Sequence, residues 1–467
     1  MKQHEADVVV IGMGVGGEEV AGRLVHAGLE VVGIERELVG GECPYWGCIP
    51  SKMMIRAANL LAEARRIDGM AGTSTVSPDW GVVARRIRAE ATDDWDDRVA
   101  VERFEAAGGQ FRRGHAHLDG PGRVVIDGTG IRARRGIVLA TGTGPAIPPI
   151  PGLHSVQYWT NRDAIATTTV PSSLVVLGGG AIGLELGQVF ARFGSRVAVV
   201  EVAERLVPNE EPEAGELLAS VLRDDGIDVR IGARVVSVAP AGSGATVNFD
   251  DGTGIEADRL LVATGRRAAL HDLGLESVGL DAEARWVTVD ENLRAADGLW
   301  AVGDVTGVGA FTHVAVYQGR IAAADILGDT HEPADYAAMP RVTFTDPEVG
   351  SVGSTEAAAR ARGLDVRVGR ANVAASARGW IHKAGNDGFI KLVEDAHRGV
   401  LIGATAAGPN GGEVLSMLTL AVHEATPVPR LRDMIYAYPT FHRGVEDALN
   451  DLAASPDALP RDRKART

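Results

Sequence analysis

Two stretches of this chain repeat one hydrophobic pattern. Val8-Val9-Val10-Ile11 is an unbroken β-branched run with no polar face, which predicts a strand buried on both sides in a parallel sheet. Gly12-x-Gly14-x-x-Gly17 follows at once, Glu18 to Ala27 reads as a helix, and Glu30 to Ile34 is a second apolar strand closed by Glu35. Ser173 to Leu177, Gly178-x-Gly180-x-x-Gly183, Leu184 to Phe193, Arg196 to Val200 and Glu201 restate the unit. In both, the acid falls eighteen residues after the third glycine. One such turn is weak evidence; two, each framed by strand, helix and acid, predict two dinucleotide sites. The first glycine makes the tight turn, the second admits a pyrophosphate against the backbone, and the third lets the helix pack on its strand. Free N–H groups at the helix start face the phosphates, and the acid accepts from ribose hydroxyls.

Further apolar runs lead into turns of their own. Gly136 to Ala140 enters Thr141-Gly142, Arg259 to Ala263 enters Thr264-Gly265, and Leu299 to Val302 enters Gly303-Asp304. Pro148, Pro149 and Pro151 mark a linker at 148–152, and a second boundary falls near His331–Tyr336. The predicted class is α/β, with residues 1–150 and 269–335 forming one nucleotide-binding domain and 151–268 another. Residues 336–467 are predicted as an α+β domain, with strands at Val342–Phe344, Val366–Val368 and Phe389–Val393 and a helix at Glu413–Ala425. Pro460 to Thr467 reads as a frayed basic tail.

Composition narrows the function classes. The length, 467 residues, suits about three domains. The formal charge of −15 argues against nucleic acid or an anionic membrane as main partner. The 59 glycines exceed the usual ~7%, as a chain full of tight turns requires. No run approaches the ~18 apolar residues of a membrane helix, and the polar start Met1 to Asp7 has no leader pattern. A soluble cytoplasmic enzyme is expected.

Both cysteines fall in Gly40-Gly41-Glu42-Cys43-Pro44-Tyr45-Trp46-Gly47-Cys48-Ile49-Pro50-Ser51-Lys52. A bridge across this Cys-x4-Cys spacing needs the segment to bend, which Pro44, Gly47 and Pro50 favour. A helix is expected from Ser51 to Arg66, with Met54, Ala58, Leu61 and Arg65 along one face. Three readings compete. A structural disulfide is unusual in a cytoplasmic protein. Two thiolates are half of a tetrahedral zinc set, and no metal is assigned. A redox-active pair beside a flavin fits two nucleotide sites best.

These motifs resemble the flavoprotein disulfide reductases, the group that includes dihydrolipoamide dehydrogenase, glutathione reductase, mercuric reductase and soluble transhydrogenase. The matching features are Gly-Gly-x-Cys-x4-Cys-x-Pro-Ser-Lys, both glycine turns, both Ala-Thr-Gly turns and Ala301-Val302-Gly303-Asp304, so the resemblance runs from about residue 6 to about 450. It implies an FAD site from Gly12, Gly14, Gly17, Glu35, Gly41, Lys52, Thr141, Gly142, Gly303 and Asp304. It implies an NAD site from Gly178, Gly180, Gly183, Glu201 and Gly265. Cys48 resembles the cysteine next to the flavin and Cys43 the interchange thiol; Lys52 and Glu185 resemble the ion pair beneath the flavin. His313 and Gln318-Gly319 are expected to be structural. A C-terminal dimerisation domain, hence a homodimer, is implied too.

One departure carries chemical weight. Thiol-handling members of that group use a C-terminal His-Pro-Thr as general base, contributed across the dimer, with a glutamate five residues on. Here Tyr438-Pro439-Thr440 puts tyrosine in that place and Arg443 in the glutamate's. Histidine titrates near neutrality whereas tyrosine titrates near 10. His442 with Glu446 is a candidate replacement, and so are hydrogen bonds from Tyr438. Transhydrogenases resemble the chain at Tyr-Pro-Thr and Trp46-Gly47 but typically lack the paired cysteines. With only two cysteines, mercuric reduction through a second C-terminal pair is disfavoured. Glu201, with one late arginine at 205, favours NADH over NADPH. The expected function is an FAD-dependent NAD(P)H:disulfide oxidoreductase acting on a small disulfide or dithiol. The alternatives are transhydrogenation or quinone reduction on the same scaffold.

Overall fold

The computed structural model describes residues 4–454, so the predicted tail at 460–467 lies outside the described residues. Strand His4–Ile11 pairs in parallel with Val31–Glu35 on one side and Thr129–Leu139 on the other. Gln110–Arg113 extends one edge, Leu299–Ala301 and Arg294–Ala296 the other. Central placement explains the unbroken apolar run. Val8 and Val10 enter a core with Val20, Leu24 and Ile321, while Val9 and Ile11 enter one with Ile137 and Leu139 on the opposite face.

A second parallel sheet runs in the order Asp228–Ile231, Arg196–Glu201, Ser173–Leu177, Arg259–Val262, Tyr158–Trp159. Its central strand alternates likewise, Leu174 and Val176 into one core and Val175 and Leu177 into another. A third, antiparallel sheet orders Pro340–Thr343, Glu348–Gly353, Val400–Gly408, Phe389–Asp395 and Val366–Asn372. Helices Gly411–His423 and Gly444–Ala454 pack on it through Leu415, Leu418, Leu449 and Leu452. This is the mixed α/β class with a C-terminal α+β unit.

Several boundaries shift for physical reasons. The two nucleotide-turn helices span Val15–His26 and Ala181–Arg192, each starting inside its glycine turn, where small residues form the first helical turn against the sheet. The helix expected from Ser51 begins at Cys48, because the first turn needs no N–H from Pro50. Its buried face is Met54, Ile55, Ala58 and Ala62; Leu61 is only half-buried and Arg65 is exposed, its guanidinium donating to the Arg192 carbonyl (2.9 Å).

Candidate active site

The first glycine turn sits where strand His4–Ile11 gives way to helix Val15–His26. Gly12 has φ +93°, and a Cβ there would collide with the Ala140 carbonyl; Gly178 repeats this with φ +111° against Ala263. Each strand-end acid locks its own turn. Glu35 accepts from the N–H of Met13 (2.8 Å) and Glu37 (2.7 Å), and Glu201 from Gly179 (2.6 Å) and Ala203 (2.7 Å). Gly17 and Gly183 each abut the carbonyl of their own first glycine.

Gly303-Asp304 opens a short 3-10 turn behind strand Leu299–Ala301. The Gly303 N–H donates to Gln318 Oε1 (2.7 Å), and Gln318 Nε2 donates to Thr306 Oγ1 (3.2 Å) and Tyr336 OH (2.8 Å). That amide is fully buried. His313 is held by the Pro340 carbonyl (2.9 Å). Asp304 accepts from Thr143 Oγ1 (2.9 Å), which in turn accepts from Arg266 Nε (2.8 Å). Burial pushes the Asp304 carboxyl above the usual range, and Arg266 and Thr143 pull it back. Arg266, which follows Gly265, also reaches Glu42 (3.6 Å), so it joins Thr143 and Asp304 to the cysteine segment. Sequence reasoning missed Arg266 and Thr143; their position after the two Ala-Thr-Gly turns was the available signal.

These residues fit FAD. No side chain caps the helix at Gly14, and Gly142 adopts φ +63° beside Thr141, whose buried hydroxyl has no partner. A free helix N-terminus and an orphan hydroxyl are what a dinucleotide's phosphates and polar edges satisfy.

Cys43 lies in the short helix Glu42–Tyr45, and Cys48 is the first residue of helix Cys48–Arg65. Both thiols are free and half-buried. Cys48 Sγ is 3.3 Å from Thr312 Oγ1. A hydrogen bond from the Cys43 thiol pulls Cys48 down to about 6, with Thr312 and Lys52 helping and burial opposing. The same bond, with burial, pushes Cys43 far up. The N-terminus of an eighteen-residue helix adds a favourable dipole at Cys48. Thr312 was not singled out in the sequence; it stands one residue before His313, and a fold was needed to bring it to residue 48.

One turn along that helix, Lys52 Nζ lies 2.9 Å from Glu185 Oε2. The carboxylate is 6% exposed and also accepts from the Phe344 N–H (2.8 Å), which meets the need of a buried acid for partners. The ammonium, 36% exposed, stands 4.6 Å from the Phe344 ring centroid.

At the C-terminal end, Tyr438 is 69% exposed on a stretch where Ile435 is 98% exposed. The candidate His442–Glu446 pair is corrected by the geometry: Glu446 takes Arg443 instead (2.7 Å). The turn Phe441–Arg443 is 3-10 rather than α, and the His442 ring is tilted toward Tyr436, 6.4 Å between centroids. The Arg443 guanidinium lies 5.5 Å from the Tyr438 centroid. Among the described residues no cluster of three or more histidine, cysteine or acidic side chains could hold a metal, and no helix is long and apolar enough to cross a membrane.

Residues 6–319 match the pyridine nucleotide-disulphide oxidoreductase family, and residues 339–449 match its dimerisation domain. The dihydrolipoyl dehydrogenase of Chlorobaculum tepidum is 34% identical over 462 residues, covering 96% of this chain and 97% of the relative. The mercuric reductase of Acidithiobacillus ferrooxidans is 33% identical over 458 residues, covering 95% and 82%. Among solved structures, the HOCl-induced flavoprotein disulfide reductase RclA from Escherichia coli superposes with TM-score 0.84 at 27% identity, covering 95% of this chain and 99% of that one. LpdA from Mycobacterium tuberculosis gives 0.84 at 26%, covering 96% and 99%. Two nucleotide turns, a cysteine pair and these matches define an FAD-dependent pyridine nucleotide oxidoreductase. The chain belongs to the pyridine nucleotide-disulphide oxidoreductase family.

Proposed function

We propose that this enzyme is a homodimeric, NADH-preferring disulfide reductase in which Cys43 and Cys48 cycle between disulfide and dithiol. The observation that carries this is the environment of Cys48. It sits at a helix N-terminus, against Thr312 and the Cys43 thiol, one turn from the Lys52–Glu185 pair. FAD, held by the first glycine turn, Gly41, Thr141 and Asp304, supplies the two-electron chemistry that links nicotinamide to thiol.

The chain's own residues do the rest. Cys48 persists as the thiolate while Cys43 keeps a proton and donates it to Cys48. Transfer of that proton to Cys48 frees Cys43 to attack an acceptor disulfide, whose S–S bond breaks and releases one thiol. The first leaving sulfur takes the proton from Cys48, which then closes on Cys43, restores the bridge and releases the second sulfur as a thiolate. Neighbouring sulfur thus serves as internal base where the usual histidine is replaced by Tyr438. Lys52 holds positive charge beside the thiolate. The preference for NADH is supported by Glu201, whose charge repels a 2′-phosphate, and by Arg205, which is turned toward the Pro208 carbonyl (2.7 Å). The exposed apolar stretch at Met434, Ile435 and Tyr438, within the dimerisation-domain match, supports a second copy as its cover.

Anaerobic NADH titration of the FAD-loaded protein, with free thiols counted before and after, tests the reading. Two additional thiols are expected, and Cys48→Ser is expected to cut disulfide turnover by roughly 10³-fold or more. An unchanged thiol count refutes it. That result would select the second reading, hydride transfer to a quinone or a second nicotinamide, which the tyrosine at 438 and the engagement of Glu446 by Arg443 favour.

A further inference from the structure

The cysteine loop is tied at both ends to one six-residue segment, Thr92–Asp97. Within it, Asp93 (φ +47°), Asp94 (φ +58°) and Trp95 (φ +58°) adopt left-handed backbone in succession. Such backbone is costly for residues with side chains, and it persists only where surrounding contacts over-determine it. Buried Thr92 anchors the turn by donating to the carbonyls of Ile87 (3.1 Å) and Arg88 (3.2 Å). The Trp95 indole stacks on Trp46, between the two cysteines, with centroids 5.3 Å apart and planes 22° apart. Buried Asp97 accepts from the Val39 N–H (2.6 Å), just before Gly40-Gly41. On the loop itself, Asn161 donates to the Trp46 carbonyl (2.7 Å) and to Glu42 (3.1 Å), and Arg162 donates to Glu42 (2.8 Å).

We propose that Trp95 and Asp97 are positioning residues for the cysteine pair: the left-handed turn presents a ring and a carboxylate that brace loop 39–48 so that Cys43 and Cys48 are held within bonding reach. Neither side chain touches a sulfur. Each acts through the loop, by raising the effective concentration of one sulfur at the other. The proposal rests on the reading that the pair forms a disulfide.

The test equilibrates FAD-loaded enzyme anaerobically in graded mixtures of reduced and oxidised dithiothreitol, then counts free thiols after an acid quench. As the bridge forms, Cys43 and Cys48 give up two electrons and the one proton they share; the cyclic disulfide of oxidised dithiothreitol takes these, with a second proton from water, and opens to its dithiol. Trp95→Ala is expected to lower the equilibrium constant for bridge formation at least tenfold. Trp95→Phe, which keeps a stacking face, should stay within threefold of the parent, and Asp97→Asn should fall between them. A Trp95→Ala constant equal to the parent's overturns the brace, and a Trp95→Phe constant equal to that of Trp95→Ala overturns the stacking. If Trp95→Ala does not retain FAD, Trp95→Leu decides, because it fills similar space without a π-face. A parent thiol count that ignores dithiothreitol altogether removes the disulfide reading and leaves the brace unsupported for a different reason.

Discussion

The two glycine turns share spacing, strand, helix and locking acid, yet they differ in what lies over them. Gly14 bridges to Gly40, and a Cβ on Gly41 would stand 2.9 Å from the Gly14 Cα. The second turn has no such cover: a Cβ at Gly180 would meet nothing within 4 Å. One turn is closed by the segment that carries the cysteines; the other packs on Leu206 and Val207 at Gly179 and leaves space only at Gly180. Under the proposed function, the first turn would hold a resident group and the second an exchangeable one. Access, decided by residues outside the motif, separates the roles.

Substitution at the covered turn breaks the comparison most strongly. Gly41→Val places a β-branched residue at φ +65° against the Gly14 backbone. Left-handed strain and overpacking together predict a loss of about 2–5 kcal/mol in stability and protein that purifies without FAD. Absorbance and thermal melting read both. Gly180→Ala is the matched substitution on the open side. Its Cβ has room, so melting and FAD content should stay at parent values, whereas the Kd for NAD⁺ should rise about tenfold, worth about 1.4 kcal/mol. Equal FAD loss in both variants would erase the distinction between the turns.

Glu201→Gln sharpens it further. Glu201 is buried against Gly179 and Ala203, and glutamine keeps an acceptor there while removing the charge. The ratio of kcat/KM for NADH over NADPH should fall by about tenfold, about 1.4 kcal/mol, with FAD content unchanged. An unchanged ratio would show that Glu201 serves its loop alone.

Much of this was legible because it rests on short-range pattern. An apolar run in the middle of a parallel sheet has only one way to satisfy both faces, so Val8 to Ile11 declared its place. Glycine turns are specified by steric necessity. What stayed illegible depends on distant pieces of chain arriving together. The Asp93–Trp95 turn has no glycine to announce positive φ; the Trp46 stack and the Thr92 anchor to Ile87 and Arg88 frame it. Thr312 meets Cys48 across 264 residues. Glu446 pairs with Arg443, three residues before it, and not with His442, four before it, a choice that helical periodicity leaves open.

An effect of similar size is predicted for the covering segment itself. Thr312→Val removes the hydroxyl 3.3 Å from Cys48 and leaves Cys43 and Lys52 in place. A hydrogen bond to a charged acceptor is worth about 1.5 kcal/mol or more, and one pKa unit is about 1.36, so the Cys48 midpoint should rise by roughly one unit from about 6. Iodoacetamide alkylation of the NADH-reduced enzyme against pH measures it: the parent's rate should climb through pH 6 and level off, and the variant's curve should sit about one unit higher. The same shift fixes a stability window. Between about 6 and the reference value of 9.0, the unfolded Cys48 thiol still binds its proton and the native one has lost it, so the reduced protein gains stability as pH rises. Cys43 is shifted upward, so above 9.0 the native state binds the extra proton and that gain is given back. Melting of the reduced protein should accordingly peak near pH 9, with a smaller rise in Thr312→Val that begins about one unit later; coincident rises in both would separate Thr312 from the thiolate.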